Sequence, residues 1–464
     1  MIFAALSPQL VQPPPPASEW TFYCQGVLMA WLPSSEGRGW RSFWIQRNQT
    51  VLFGAGDFLD DMPEMDLRSA DDALASLRRI TARAHGAIFD GERLRMFTTT
   101  FASGRLFFAR DNQGGLRFGS AAHWLAPAGT SLRTSRPDGR VLHASGETIF
   151  RGVFAVEPNA DAVFRWHRGA LQFESVVPTA ERAATNVLPP IETMEQATAI
   201  LKSSLRDAVA SLTRGGEPVA LTLSGGVDSS SLAAIMRSQN TPVNAYTVSG
   251  PFGDESAPAR ALASELGCSH QTVTIGSEDV SLLLPDLIGT LETWDPVTLQ
   301  IAAPIHHLGK SIQGRERVLL TGYGADLIFA GTQAPDSSEA LIAETCRALL
   351  ANTVSTNEFS PFVGTRWGIT VRYPFWTPEM RAVTESIPGR FKIHSGIVKY
   401  CLRAAMSDVL PDTTAWRPKL GIHDGLQMHR MFSEVLGTSS LVDQSVKLRE
   451  IAASVFSARG VEVQ

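Results

Sequence analysis

The sequence predicts two domains: a β-rich N-terminal domain over residues 1–180, then an α/β domain on a parallel sheet over 190–464. Three observations predict this. Short β-type runs separated by turn residues fill the first part. A polar, proline-containing passage at 177–191 ends that rhythm. Beyond it strands alternate with helices, the pattern of a parallel sheet covered on both faces.

Residues 1–10 are apolar but carry no basic leader, so they read as a strand and not as a signal peptide. Runs at 20–23, 51–53, 95–99, 105–109 and 116–119 read as strands, with Asp111-Asn112 and Gly114-Gly115 as turns. One helical stretch, 70–84, interrupts them. After the boundary, 194–212 reads as a helix and 219–223 as a strand. A helix at about 229–236, a strand at 242–248, a helix at 257–266 and an extended run at 271–275 follow. Beyond residue 300 the pattern is mostly helical. His306-His307 is expected on a helix, in the core or at the surface and not on a metal.

A chain of 464 residues can bury two or three cores. Its 44% hydrophobic and 19% charged content is that of an ordinary soluble protein. The formal net charge of -5, with no dense Lys/Arg run, gives no basis for binding nucleic acid or an anionic membrane. No uninterrupted apolar run approaches the ~18 residues of a membrane span. The four cysteines, Cys24, Cys268, Cys346 and Cys401, are scattered without a Cys-x-x-Cys pair. Zinc and redox motifs are therefore unsupported, and a reduced, cytoplasmic setting is expected.

The chemistry begins where the strand Val219-Ala220-Leu221-Thr222-Leu223 runs into Ser224-Gly225-Gly226-Val227-Asp228-Ser229-Ser230. Glycines let a backbone approach a polyanion closely. The N–H groups of the turn and of the following helix then face negative charge. Asp228 supplies a hard oxygen ligand suited to Mg²⁺. No Gly-Lys-Ser/Thr follows, so this is not a Walker loop. A second apolar run ends the same way, in Leu319-Leu320-Thr321-Gly322-Tyr323-Gly324-Ala325-Asp326. Asp228 and Asp326 would hold Mg²⁺ against a triphosphate if their strands are neighbours. The alternatives are a plain glycine turn for the first loop and a helix cap for Asp326.

The first loop resembles the pyrophosphatase loop of enzymes that split ATP into AMP and pyrophosphate. The C-terminal part as a whole resembles asparagine-synthetase-type synthetase domains, and among them β-lactam and carbapenam synthetases. Further blocks carry this in the same order: Glu292-Thr293-Trp294-Asp295-Pro296, Asn357-Glu358-Phe359-Ser360-Pro361, Leu402-Arg403-Ala404-Ala405-Met406 and Arg417-Pro418-Lys419-Leu420-Gly421-Ile422-His423. The resemblance covers roughly 190–430 well and the N-terminal part only in general character. It implies an ATP-pyrophosphatase-type synthetase domain, adenine nucleotide alpha hydrolase-like, behind an α+β glutaminase-like (Ntn-type) sandwich.

That resemblance also implies roles. Asp228 and Asp326 match magnesium ligands. Leu223, Ser224, Gly225, Gly226, Ser229 and Gly322 match the nucleotide-binding loops, and Val248 falls where backbone meets adenine. Lys399 matches a lysine that holds the phosphates. Tyr323 and Glu358 match a catalytic pair, and Lys419 a lysine beside the reacting centre. Glutamine-dependent relatives begin with a cysteine after the initiator methionine, whose thiol releases ammonia. Here position 2 is Ile2 and the first cysteine is Cys24, so the glutaminase reaction is expected to be absent.

The leading expectation is an AMP-forming ring-closing ligase using ATP and Mg²⁺ on a small β-amino acid. A lasso-peptide cyclase and an ammonia-dependent asparagine synthetase-like ligase are the alternatives within the fold. A tRNA-modifying enzyme would need a basic face, which the sequence lacks. A binding module without catalysis would not need both carboxylates and both lysines. Formation of a homo-oligomer is left open.

Overall fold

Alternating apolar residues set the N-terminal strands, and their two faces are buried against different partners. A computed structural model of the chain describes residues 3–6, 20–25, 28–33, 40–60, 65, 67–98, 106–110, 115–127, 129–141, 146–156, 160–167, 170–178, 190–214, 218–356, 360, 362–418 and 422–461. The strands are β1 (Phe3–Leu6), β2 (Trp20–Gln25), β3 (Leu28–Pro33), β4 (Trp40–Arg47), β5 (Thr50–Phe58), β6 (Thr81–Phe89), β7 (Arg93–Thr98), β8 (Phe107–Arg110), β9 (Leu116–Gly119), β10 (Phe154–Ala155), β11 (Ala160–His167) and β12 (Ala170–Pro178). They form two antiparallel sheets, ordered β10-β8-β9-β1-β3-β2 and β12-β11-β7-β6-β5-β4. Ala4, Ala30 and Phe118 of the first pack on Phe53, Phe89 and Met96 of the second, which makes a sandwich.

The outer face of the second sheet carries Leu52, Ile88 and Phe97, covered by Leu74 and Leu77 of helix α1 (Ala70–Ile80). Ser69 caps α1 by accepting from the Asp72 N–H. The helix expected over 70–84 stops at Ile80, because Thr81 already begins β6. Alanines at 82, 84 and 87 suggest a helix, but β6 pairs with strands on both sides and tertiary pairing overrides that propensity. The first sheet buries its outer residues Phe3, Ala5, Phe107 and Ala109 in a core continuous with the C-terminal domain.

The C-terminal sheet comprises β13 (Val219–Thr222), β14 (Val243–Ser249), β15 (Ser269–Thr274), β16 (Val318–Leu320) and β17 (Thr370–Arg372). Its order is β15-β14-β13-β16-β17, every pair parallel. Helices α2 (Met194–Leu212), α3 (Val227–Ser238), α4 (Ser256–Leu266), α5 (Ser277–Leu291) and α6 (Pro296–Ser311) cover it. The chain leaves β13 toward β14 and β15, then returns to β16 on the other side. That reversal opens a crevice at the carboxyl ends of β13, β14 and β16, where such sheets bind ligands. No helix among the described residues is long and apolar enough to cross a membrane.

Buried charges join the two domains. Arg372 on β17 donates from Nε and Nη2 to the two oxygens of Asp57 on β5, at 2.8 and 2.7 Å. The Glu292-Thr293-Trp294-Asp295-Pro296 block forms a second latch. The Glu292 carboxylate accepts from the N–H groups of Ala122 and His123 at 2.9 and 2.8 Å. Asp295 caps α6 through the Thr298 N–H at 2.8 Å and its other oxygen accepts from Val141 N–H and Arg140 Nε. Trp294 is fully buried between them and donates to Ser135 Oγ at 3.0 Å. This block is thus an interdomain joint. Asp57→Ala should lower the unfolding free energy by about 3–5 kcal/mol, because it strands a buried guanidinium; a urea midpoint equal to that of the wild type would contradict this.

Candidate active site at the carboxyl end of the parallel sheet

The two glycine loops leave neighbouring strands. Leu221 of β13 pairs with Leu320 of β16, so the loops that follow emerge side by side. A Cβ placed on Gly322 would stand 2.9 Å from Ser229 N and 3.0 Å from Asp228 Cβ, so only glycine permits this approach. In the first loop Ser224 N–H donates to Ser229 Oγ at 3.1 Å, and Gly226 N–H to Ser224 Oγ at 3.3 Å. Helix α3 begins at Val227, two residues earlier than expected from sequence, with Gly226 at its N-cap. Asp228 therefore projects from the first helical turn.

A hairpin completes the site. Residues Ile393–His394 and Ile397–Val398 pair across Ser395 and Gly396, both at positive φ, as a tight two-residue turn requires. Lys399 follows in a left-handed backbone conformation (φ 57°), uncommon for a lysine, and starts the helix Tyr400–Met406. Its Nζ lies 2.5 Å from Asp228 Oδ2 and 2.6 Å from Asp326 Oδ1. Gly331 makes room, since a Cβ there would stand 2.1 Å from Asp326 Oδ1 and 2.4 Å from Lys399 Cε. Burial would lower the Lys399 ammonium, but the two carboxylates hold it above its usual range. Withdrawal from water pushes the Asp228 carboxyl up, against Lys399 and together with Asp326.

These residues fit a magnesium ion bound together with a polyphosphate. Asp228 Oδ1 is buried and meets no hydrogen-bond donor. Two hard carboxylates converge on one cation, and Mg²⁺ is commonly held by one or two carboxylates plus phosphate oxygens. Among the described residues no group of three His, Cys, Asp or Glu could hold a metal alone. His306 and His307 lie on α6. His306 is buried between Asp286 and the Val363 carbonyl, and His307 meets the Thr274 carbonyl.

An open cleft with about 880 Å³ of empty space lies over the cluster. Leu223, Ser224, Gly226, Asp228, Ser229, Val248, Gly322, Tyr323, Asp326 and Lys399 all line it. Gly225 does not; it turns at φ +71° against Pro258 and shapes the loop from behind. Tyr323 is half-buried in the wall. Glu358 and Lys419 lie outside the described residues.

Three wall residues carried no assigned role in the sequence. Arg403 is buried and donates to the carbonyls of Val398, Ala415 and Arg417 at 3.0, 2.6 and 2.9 Å. Arg417 donates to the Ser224 carbonyl at 2.9 Å and to Glu255 at 3.2 Å, tying the first loop to the C-terminal segment. Burial raises the Glu255 carboxyl against the pull of Arg417. Both arginines sit in blocks that carry the family resemblance, which was the available signal; Glu255 had none.

Comparison with known proteins then decides the family. The model described as asparagine synthase matches residues 201–358 and 361–452, more than half of the chain. The chain belongs to the asparagine synthase family. It is 33% identical over 267 residues to a carboxyethyl-arginine β-lactam-synthase from Streptomyces clavuligerus, covering 56% of this chain and 51% of that protein. It is 26% identical over 247 residues to the glutamine-hydrolyzing asparagine synthetase B of Escherichia coli (strain K12), covering 49% of this chain and 44% of that protein. The chain thus spans about half the length of the curated relatives it matches. The solved NMN synthetase of Francisella tularensis aligns over 58% of this chain and 94% of its own, at 13% identity and a TM-score of 0.25. A likeness at that level adds nothing to the fold.

The charge cluster has a stability consequence. Lys399 titrates above its unfolded value, so its stabilisation is complete below about pH 10.4 and is lost as pH rises through the folded value. Lys399→Met should cost about 3–5 kcal/mol at pH 8 by urea unfolding. The gap from wild type should narrow above about pH 10.4; a gap that widens in alkali would contradict the sign.

Proposed function

We propose that this chain is an ATP- and Mg²⁺-dependent ligase that closes an amide within one small substrate, a β-amino acid forming a β-lactam, with release of AMP and pyrophosphate. The observation that carries the reading is the convergence of Asp228, Asp326 and Lys399 at the switch-point cleft, 2.5 and 2.6 Å apart as ion pairs. The similarity to a carboxyethyl-arginine β-lactam-synthase supports the ring-closing form.

A carboxylate is a poor acyl donor because its oxygen leaves badly. In the first step the substrate carboxylate oxygen attacks the α-phosphorus of ATP and pyrophosphate departs. Asp228 and Asp326 would hold the metal, which offsets charge on the departing phosphates. Lys399, here paired with the two carboxylates, would turn to those phosphates. Ser224, Gly226 and Ser229, whose N–H and hydroxyl groups hydrogen-bond to one another here, would turn donors to the phosphates, with Gly225 setting the turn and Gly322 admitting the second loop. Leu223 and Val248, on adjacent strand ends, supply backbone for the adenine.

In the second step the substrate amine attacks the acyl carbon, loses a proton, and AMP leaves. Tyr323 lines the cleft and is suited to take that proton. A lone tyrosine, with an ordinary pKa of about 10, is protonated near neutral pH and takes up the amine proton only as it passes on its own. Glu358, by family resemblance, would orient the hydroxyl and accept that proton. Lys419, by the same resemblance, would stabilise the oxyanion of the tetrahedral intermediate, a contribution of about 3 kcal/mol.

Incubation with ATP, Mg²⁺ and carboxyethyl-arginine or related β-amino acids should yield AMP and pyrophosphate; release of ADP would exclude the reading. Tyr323→Phe should slow amide formation by on the order of 100-fold. ATP–pyrophosphate exchange should fall much less, and the reverse order would remove Tyr323 from the amine step.

A further inference from the structure

The N-terminal sandwich reaches the site through one strand. Asp57 and Arg83 are direct cross-strand partners on β5 and β6, and both are buried. Together they grip β17. Asp57 pairs with Arg372, and Arg83 Nη2 donates to the Val371 carbonyl. The Arg83 guanidinium lies 5.2 Å from the centroid of the Tyr373 ring, the first residue beyond β17. Tyr373 is itself buried, and its ring centroid stands 6.3 Å from that of Tyr323 at 60°. The same strand braces the second loop by backbone, since Thr321 N–H donates to the Arg372 carbonyl at 3.2 Å. A guanidinium against an aromatic face is directional and is strengthened when both are withdrawn from water.

We propose that Arg83 is a positioning residue for Tyr323, acting across the domain interface through Tyr373. This rests on the reading that Tyr323 serves the amine step. The sandwich then has a task in the synthetase reaction: it fixes the ring wall against which Tyr323 is aimed, while Asp57 keeps Arg372 and β17 in register. Apart from Gly322 and Asp326, the groups assigned to the nucleotide come from the ends of β13 and β14 and from the hairpin exit, whereas Arg83 meets β17 and Tyr373. Loss of Arg83 is therefore felt in amide closure more than in adenylation.

The test uses the full chain labelled with 3-fluorotyrosine. There are five tyrosines, Tyr23, Tyr246, Tyr323, Tyr373 and Tyr400, each assignable by its Phe variant. Arg83→Met should shift or broaden the ¹⁹F resonances of Tyr323 and Tyr373 and leave those of Tyr246 and Tyr400 in place. Arg83→Lys, which keeps the charge, should give a smaller shift at the same two positions, and it serves alone if the methionine variant does not fold. A Tyr323 resonance at its wild-type position in a folded variant overturns the proposal, as does a uniform shift of all five. With a substrate that the wild type closes, amide formation should fall about tenfold or more while pyrophosphate exchange falls less than about twofold; equal losses overturn it. Failure of the wild type to make AMP would count against the ligase reading, and the resonance test would still decide the positioning role.

Discussion

The Lys399 ammonium bridges the Asp228 and Asp326 carboxylates, and the C-terminal domain is organised around bringing these groups together. Two carboxylates this close, partly withdrawn from water, repel each other unless a cation stands between them. Lysine fills that place in this structure, and the same hard oxygens would suit a divalent cation. Adjacent parallel strands deliver the carboxylates, and a hairpin with a left-handed exit delivers the lysine. Gly322 and Gly331 remove the side-chain atoms that would keep the parts from touching.

The second constraint is the joint between domains. Asp57–Arg372, Glu292 with the 122–123 backbone, and Asp295 with Arg140 and Val141 are charge-assisted contacts in a buried setting. Such contacts are directional, so they specify one relative placement of the two domains, which apolar packing alone does less sharply. Through β17 this placement bears on the wall of the cleft. A domain that contributes no residue to the two glycine loops is thereby joined to the geometry of the second loop.

Much of this was legible in the chain because it is local. The apolar run into Ser224-Gly225-Gly226 announces a strand, a tight turn and a helix in twelve residues or so. The helix at Met194–Leu212 has its capping box, Thr193 and Gln196, written at its start. Local reading failed where pairing partners decide. Residues 81–84 read as the end of a helix, but strands bind Thr81–Phe89 on both sides. The block around Trp294 was visible as a family feature, but its work at the interface depends on Ala122, His123 and Val141, whose backbones carry no sequence signal for it.

By itself the sequence pointed to the two glycine loops, their carboxylates and the alternation of strands and helices that begins at residue 194, since these follow from hydrophobic period, glycine placement and side-chain chemistry within short windows. Only the tertiary structure decided that β13 and β16 are neighbours, that Lys399 lies between two carboxylates, and that Arg83 and Asp57 grip β17. Those are meetings of residues far apart along the chain. The physical reason is that strand order and hairpin placement come from the packing of whole elements, and no local pattern encodes which distant surface each will bury.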